Sequence, residues 1–77
     1  MKIEIRDIVK WGGEMSNEAE RRDVMLVDAI EGRYIRVRHI GEPLAPLSMV
    51  TEESVRRVGK WDGVEPAGVL YEKYKSK

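Results

Sequence analysis

The sequence predicts a small, mainly β domain: five short strands, one short helical turn before the last strand, and a C-terminal tail. Three observations carry that expectation. Residues 2–11 alternate apolar and charged side chains with a period of two, the pattern of a half-buried strand. Residues 24–30 and 34–40 are rich in β-branched side chains and flank Glu31-Gly32-Arg33, a tight-turn sequence. Finally, 77 residues allow one domain, and a chain of that size buries only about 60% of the surface it exposes when unfolded, so its core is thin.

In the first strand the odd positions are Ile3, Ile5, Asp7, Val9 and Trp11, and the even ones Lys2, Glu4, Arg6, Ile8 and Lys10. Each face has one exception, and a single buried face is expected. Gly12-Gly13 stops the strand. Residues 14–23 are polar; Asn17 with Glu20 three residues on is a capping-box pattern, which gives one helical turn inside a long loop. The next two strands form a hairpin, the second with Ile35, Val37 and His39 on one face and Tyr34, Arg36, Arg38 and Ile40 on the other. Residues 44–50 make the fourth strand. Pro46 has no amide hydrogen, which confines that strand to a sheet edge or a bulge. Residues 51–57 read as the helical turn, capped by Thr51, with Glu52 and Glu53 at its positive end and Arg56 and Arg57 at its negative end. Residues 58–61 form the last strand and complete a domain over residues 1–61. Residues 62–77 follow as a tail, in which Tyr71 and Tyr74 at i and i+3 give one weakly amphipathic turn.

This order of elements resembles an SH3-like small β-barrel over residues 2–61. The resemblance rests on Ile5-Arg6-Asp7-Ile8-Val9 at the first strand, the hairpin across Glu31-Gly32, and the helical turn between Leu47 and Val58. In many such barrels a Gly-Asp pair precedes the first apolar strand residues; Arg6-Asp7 stands in that place here. The resemblance implies a binding or assembly module, because the superfold hosts many unrelated functions. The long loop holds no aromatic residue, unlike the cluster with which SH3 domains grip proline-rich peptides.

Composition removes several function classes. Fourteen Lys and Arg balance fourteen Asp and Glu, with eight of each sign in residues 1–38 and six of each in residues 39–77. No bulk attraction to nucleic acid or to an anionic membrane is written into such a chain. The absence of cysteine excludes disulfides, thiolate metal sites and cysteine nucleophiles, and fits a reducing compartment. The longest apolar run, Val24-Met25-Leu26-Val27, is too short for a signal peptide or a membrane span, so a cytoplasmic protein is expected. His39 is the sole histidine, which leaves a zinc site short of ligands. A Ser-His-Asp relay would have to join His39 to Ser16, Ser48, Ser54 or Ser76, none of them in a nucleophile-elbow context. Neither catalysis, nor a metal or cofactor, nor a small-molecule substrate is expected.

Two binding readings remain. In the first, the chain is a non-enzymatic protein-interaction module, an adaptor or regulatory protein that meets another protein or a second copy of itself. The residues that would carry it are Trp61, Leu44, Leu47 and Tyr34, because residues 44–50 are an apolar edge and edges are natural association sites. In the alternative, Arg33, Arg36, Arg38, Arg56, Arg57 and Lys60 form a basic face beside Tyr34, suited to phosphate contact and base stacking. Zero net charge favours those cations being paired with Glu4, Asp28, Glu31 and Glu53 instead.

Overall fold

The computed structural model describes residues 2–13, 17–41 and 47–77. The hairpin follows its alternation: β2 (Met25–Glu31) and β3 (Tyr34–His39) pair antiparallel around Gly32, whose φ of 66° suits a residue without a Cβ. β1 (Asp7–Trp11) pairs with β2 on one side and with β5 (Val55–Lys60) on the other, and β4 (Ser48–Thr51) pairs with β3. The result is the expected mainly β domain, a five-stranded antiparallel sheet in the order β4-β3-β2-β1-β5. β4 and β5 are its two edges, so the sheet stays open, and a 3-10 turn at Glu52–Ser54 links them. The loop after β1 carries α1 (Glu18–Arg22), capped as expected: the Asn17 side chain accepts from the Glu20 amide at 2.7 Å.

Three local expectations are corrected. The first strand begins at Asp7, because Arg6 adopts φ 76° and the Asp7 amide donates back to the Glu4 carbonyl at 3.1 Å. That turn throws Ile5 outward, 55% exposed, off the apolar face. A left-handed conformation costs a non-glycine residue about 1–2 kcal/mol. It is offset by what it aligns: the Arg6 amide donates to the Val27 carbonyl at 3.0 Å, the Arg6 carbonyl accepts from Trp61 at 2.8 Å, and the guanidinium lies 5.6 Å from the Trp61 ring centre. The second correction concerns the turn before the last strand, which is shorter than residues 51–57. Thr51 makes no side-chain cap, and the Ser54 hydroxyl instead donates to the Thr51 carbonyl at 2.7 Å. Arg56 and Arg57 enter β5, since pairing with Lys10 and Val9 of β1 satisfies their backbone where a further helical turn would not. Of the fourth strand, Ser48 to Val50 is observed, while residues 42–46 lie outside the described residues.

The third correction is the largest. β1 is covered on both faces: Ile8 and Val9, which point opposite ways, are both fully buried. Val9 joins an inner cluster with Ile3, Met25, Val27, Ile35, Val37, Val50 and Val55, against which Trp11 packs. Ile8 joins a second cluster with Val24, Ile40, Leu70 and Tyr74, flanked by Leu26, Val58, Trp61 and Tyr71. The cover for this outer cluster is α2 (Ala67–Tyr74), an eight-residue helix that places Leu70 and Tyr74 at i and i+4 on its buried side. Glycines make room for it. A Cβ on Gly59 would stand 2.2 Å from the Tyr74 hydroxyl, and one on Gly41 would stand 2.5 Å from the Tyr71 ring.

Polar groups fix both ends of α2. Ahead of it, an Asp62 carboxylate oxygen accepts from the Glu65 amide at 2.9 Å and the Val64 amide at 2.8 Å, bonds that hold its pKa below the ordinary carboxylate range. The Trp61 indole N–H donates to the Glu65 carbonyl at 2.8 Å. Beyond the helix, the Lys10 ammonium donates to the Lys75 main-chain oxygen and Arg56 to that of Lys77, both at 2.8 Å, which sets two cations at the negative end of the helix dipole. Among the described residues no helix is long and apolar enough to cross a membrane.

Candidate functional site

α2 covers the outer face over β1 and leaves the outer face of β3 and β4 bare. Side chains alternate along those strands, so Ile35 and Val37 fill the inner cluster while Tyr34, Arg36 and Arg38 face outward. Cross-strand register sets Arg36 opposite Met49 and Tyr34 opposite Thr51. Three large apolar side chains stand half out of water here: Tyr34 at 50%, Met49 at 49% and Leu47 at 48%. Arg36 pairs with Asp28 at 3.1 Å, and Asp28 sits where the β2–β3 register slips. Arg38, and Arg33 in the hairpin turn, have no carboxylate within ion-pair distance among the described residues.

Two of the sequence-selected contact residues, Tyr34 and Leu47, therefore share one surface. Met49 belongs with them; its i+2 spacing from Leu47 was the signal that it points the same way. Leu44 lies outside the described residues. Trp61 stands apart on the α2 side, half-buried, with its N–H on Glu65 and Arg6 over its ring.

The six cations of the alternative reading do not form one face. Arg33, Arg36 and Arg38 belong to β3 and its turn, whereas Arg56, Arg57 and Lys60 belong to β5, two strands away across β2 and β1. Arg57 and Lys60 are drawn instead to Asp7, a carboxylate with no exposed surface, at 3.7 and 3.6 Å, and Lys60 also meets Glu4 at 3.2 Å. Asp7 in turn accepts from the Glu4 amide at 2.7 Å. A buried carboxylate needs such partners, so these two cations are held by the fold.

One constellation was not legible in the sequence. Asp23, just after α1, accepts from the Trp11 indole N–H at 3.0 Å and faces His39 Nδ1 at 3.0 Å, while His39 Nε2 lies 2.9 Å from the Ser48 hydroxyl. Residue types and order are those of a nucleophilic relay, and Ser48 is one of the four serines considered for it. Its surroundings differ. The adjoining hollow of 290 Å³ is lined by Asp23, His39, Gly41 and Tyr71 but not by Ser48. What the chain of hydrogen bonds does is tie the edge strand β4 to β3, and both to the segment after α1.

No family model matches this chain, and neither the curated proteins nor the solved structures contain a significant match to it.

Proposed function

We propose that the chain is a non-enzymatic protein-interaction module of the SH3-like small β-barrel kind, which docks a partner protein on the outer face of β3 and β4. The fold reading is supported by the strand order, with the first strand between β2 and β5, and by the 3-10 turn joining β4 to β5. It is also supported by Arg6, whose φ of 76° is a conformation glycine adopts freely, at the position where many such barrels carry glycine.

The observation that carries the function is the exposure of Tyr34, Leu47 and Met49 at the part of the outer face that α2 does not cover. Interfaces gather most of their energy from a few large side chains ringed by polar ones, and Tyr and Arg are favoured there. Among the described residues Arg38 beside this patch has no acidic partner, so a segment that is apolar with acidic residues complements the surface. A second copy fits less well, because a two-fold pairing of this face would set a surface carrying Arg36 and Arg38 against one carrying the same cations.

The test is selection of peptide ligands from a random display library against the folded protein. Selected sequences should be acidic and apolar, and their binding should persist in high salt. Leu47→Glu and Tyr34→Ser should each weaken it by a factor of ten or more, about 1.4 kcal/mol, the lower range for interface anchors. Binding that vanishes with salt and ignores both substitutions would rule the reading out.

A further inference from the structure

A second surface is built quite differently. Between α1, the start of β5 and the C-terminal end of α2 lies an open cleft of 750 Å³. Among the described residues, six Lys and Arg side chains line it, namely Lys10, Arg21, Arg22, Arg56, Lys75 and Lys77, against two acids, Glu18 and Glu20. A chain with no net charge thus concentrates its cations in one concavity, where low-dielectric walls strengthen the field. Glu18 pairs with Arg22 at 2.7 Å and Glu72 with Lys75 at 2.8 Å, while Glu20 is held by Asn17 at the start of α1, away from Lys10 and Arg56.

At the floor of the cleft two cations face each other directly. Lys10 and Arg56 are register partners across β1 and β5, and like charges directly opposite destabilise a sheet. Lys10 is only 3% exposed, and burial together with the charge of Arg56 lowers its pKa from 10.5, with Asp23 opposing. Capping α2 does not use these groups up. An ammonium has three donors and a guanidinium five, and each spends one on a main-chain oxygen of the helix end. No Asp or Glu side chain lies within ion-pair distance of Lys10, Arg56 or Lys77 among the described residues.

We infer that this cleft is a binding site for a ligand with several phosphates, one of them held between Lys10 and Arg56. The opposed pair that costs stability in the free protein becomes the pair that grips the anion, through charge-assisted hydrogen bonds that Arg suits by its planar fork. The site lies at the β1–β5 end of the outer face, separated by β2 from the β3–β4 patch, and does not depend on the protein-docking reading. Phosphates of this kind come either from a small polyphosphate or from a nucleic-acid backbone.

Calorimetric titration at low ionic strength tests it, with inorganic tripolyphosphate and a mixed-sequence single-stranded oligonucleotide as separate probes. At least one should bind. Arg56→Gln and Lys10→Met should each weaken binding by about tenfold or more, as loss of a hydrogen bond to a charged group does. Arg56→Gln should also reduce the slope of log affinity against log salt by about one unit, while Arg38→Gln, on β3 and separated from the cleft by β2, should leave both unchanged. Tripolyphosphate binding without oligonucleotide binding identifies a small polyphosphate, and tighter oligonucleotide binding identifies a nucleic-acid backbone; both uphold the site. No binding of either probe overturns it, and so does equal loss from Arg38→Gln and Arg56→Gln. Arg56 is exposed, so its variant folds even if that of Lys10 is impaired, and circular dichroism of each variant separates the two effects.

Discussion

Leu70→Ala measures how far α2 belongs to the folded unit. Leu70 is 2% exposed and packs in the outer cluster with Ile8, Val24, Ile40 and Tyr74. Truncating a buried leucine costs about 2–5 kcal/mol, the value rising with the cavity left behind. A helix resting on a sheet surface settles partly into such a gap, which puts the expected cost in the lower half, about 2–3 kcal/mol. A domain of this size has a total stability of roughly 4–11 kcal/mol at about 0.05–0.15 kcal/mol per residue. The substitution therefore removes about a fifth to three quarters of it. At about 4–8 °C per kcal/mol, Tm should fall by about 8–24 °C. Thermal and urea unfolding followed by far-UV circular dichroism and tryptophan fluorescence is the assay. Trp61 packs on the outer cluster and Trp11 on the inner one, so one coincident transition is expected from both probes. A Tm within about 2 °C of the parent chain would refute the reasoning, because the helix would then be an appendage that the sheet does not need.

Three further outcomes follow from the same contacts. Asp23→Ala should cost about 2–3 kcal/mol in urea unfolding, since it strips Trp11 and His39 of an acceptor together, whereas Ser48→Ala at the outer end of the relay should cost about 1 kcal/mol. Arg6→Val should lower stability by about 1–2 kcal/mol relative to Arg6→Gly, because φ 76° is open to glycine and strained for a β-branched residue; equal stabilities of the two variants by thermal unfolding would contradict that backbone assignment. For Lys10, folding lowers the pKa below 10.5, so the unfolded chain binds its proton more tightly than the folded one. Stability should rise with pH between the lowered folded value and 10.5, with the penalty fully present at lower pH, and Lys10→Met should lack that rise in urea midpoints measured along a pH series.

The hairpin was the most legible part of the molecule. Two β-branched runs around Glu31-Gly32 leave the chain one register that buries Val27, Ile35 and Val37 together. Asn17 and Glu20 announced α1 because a cap is local chemistry. The second cluster was hidden for the opposite reason. Its partners are far apart in sequence, and α2 carries so little apolar surface that its periodicity is faint. Tyr71 and Tyr74 drew the eye at i and i+3, while the buried pair is Leu70 and Tyr74 at i and i+4. Two signals did point to it: Ile8 is an apolar residue on the nominally polar face of the first strand, and Gly59 sits inside a strand, where a missing side chain marks the close approach of another element. At the candidate sites, alternation sufficed to put Tyr34, Arg36 and Arg38 on one face. No local rule joins Lys10 to Arg56 and Lys77, which meet only through the pairing of β1 with β5 and the return of α2 across the sheet.

Protein docking on the β3–β4 face is tested most directly by amide and methyl chemical-shift mapping of the protein, titrated with an acidic, apolar peptide taken from the selection. The expected perturbations gather on Tyr34, Arg36, Arg38, Leu47, Met49 and Thr51 and leave Ile8 and Val24 beneath α2, and Leu70 within it, unmoved. Perturbations centred on the Lys10–Arg56 cleft or on α2, with the β3–β4 face silent, would contradict the assignment.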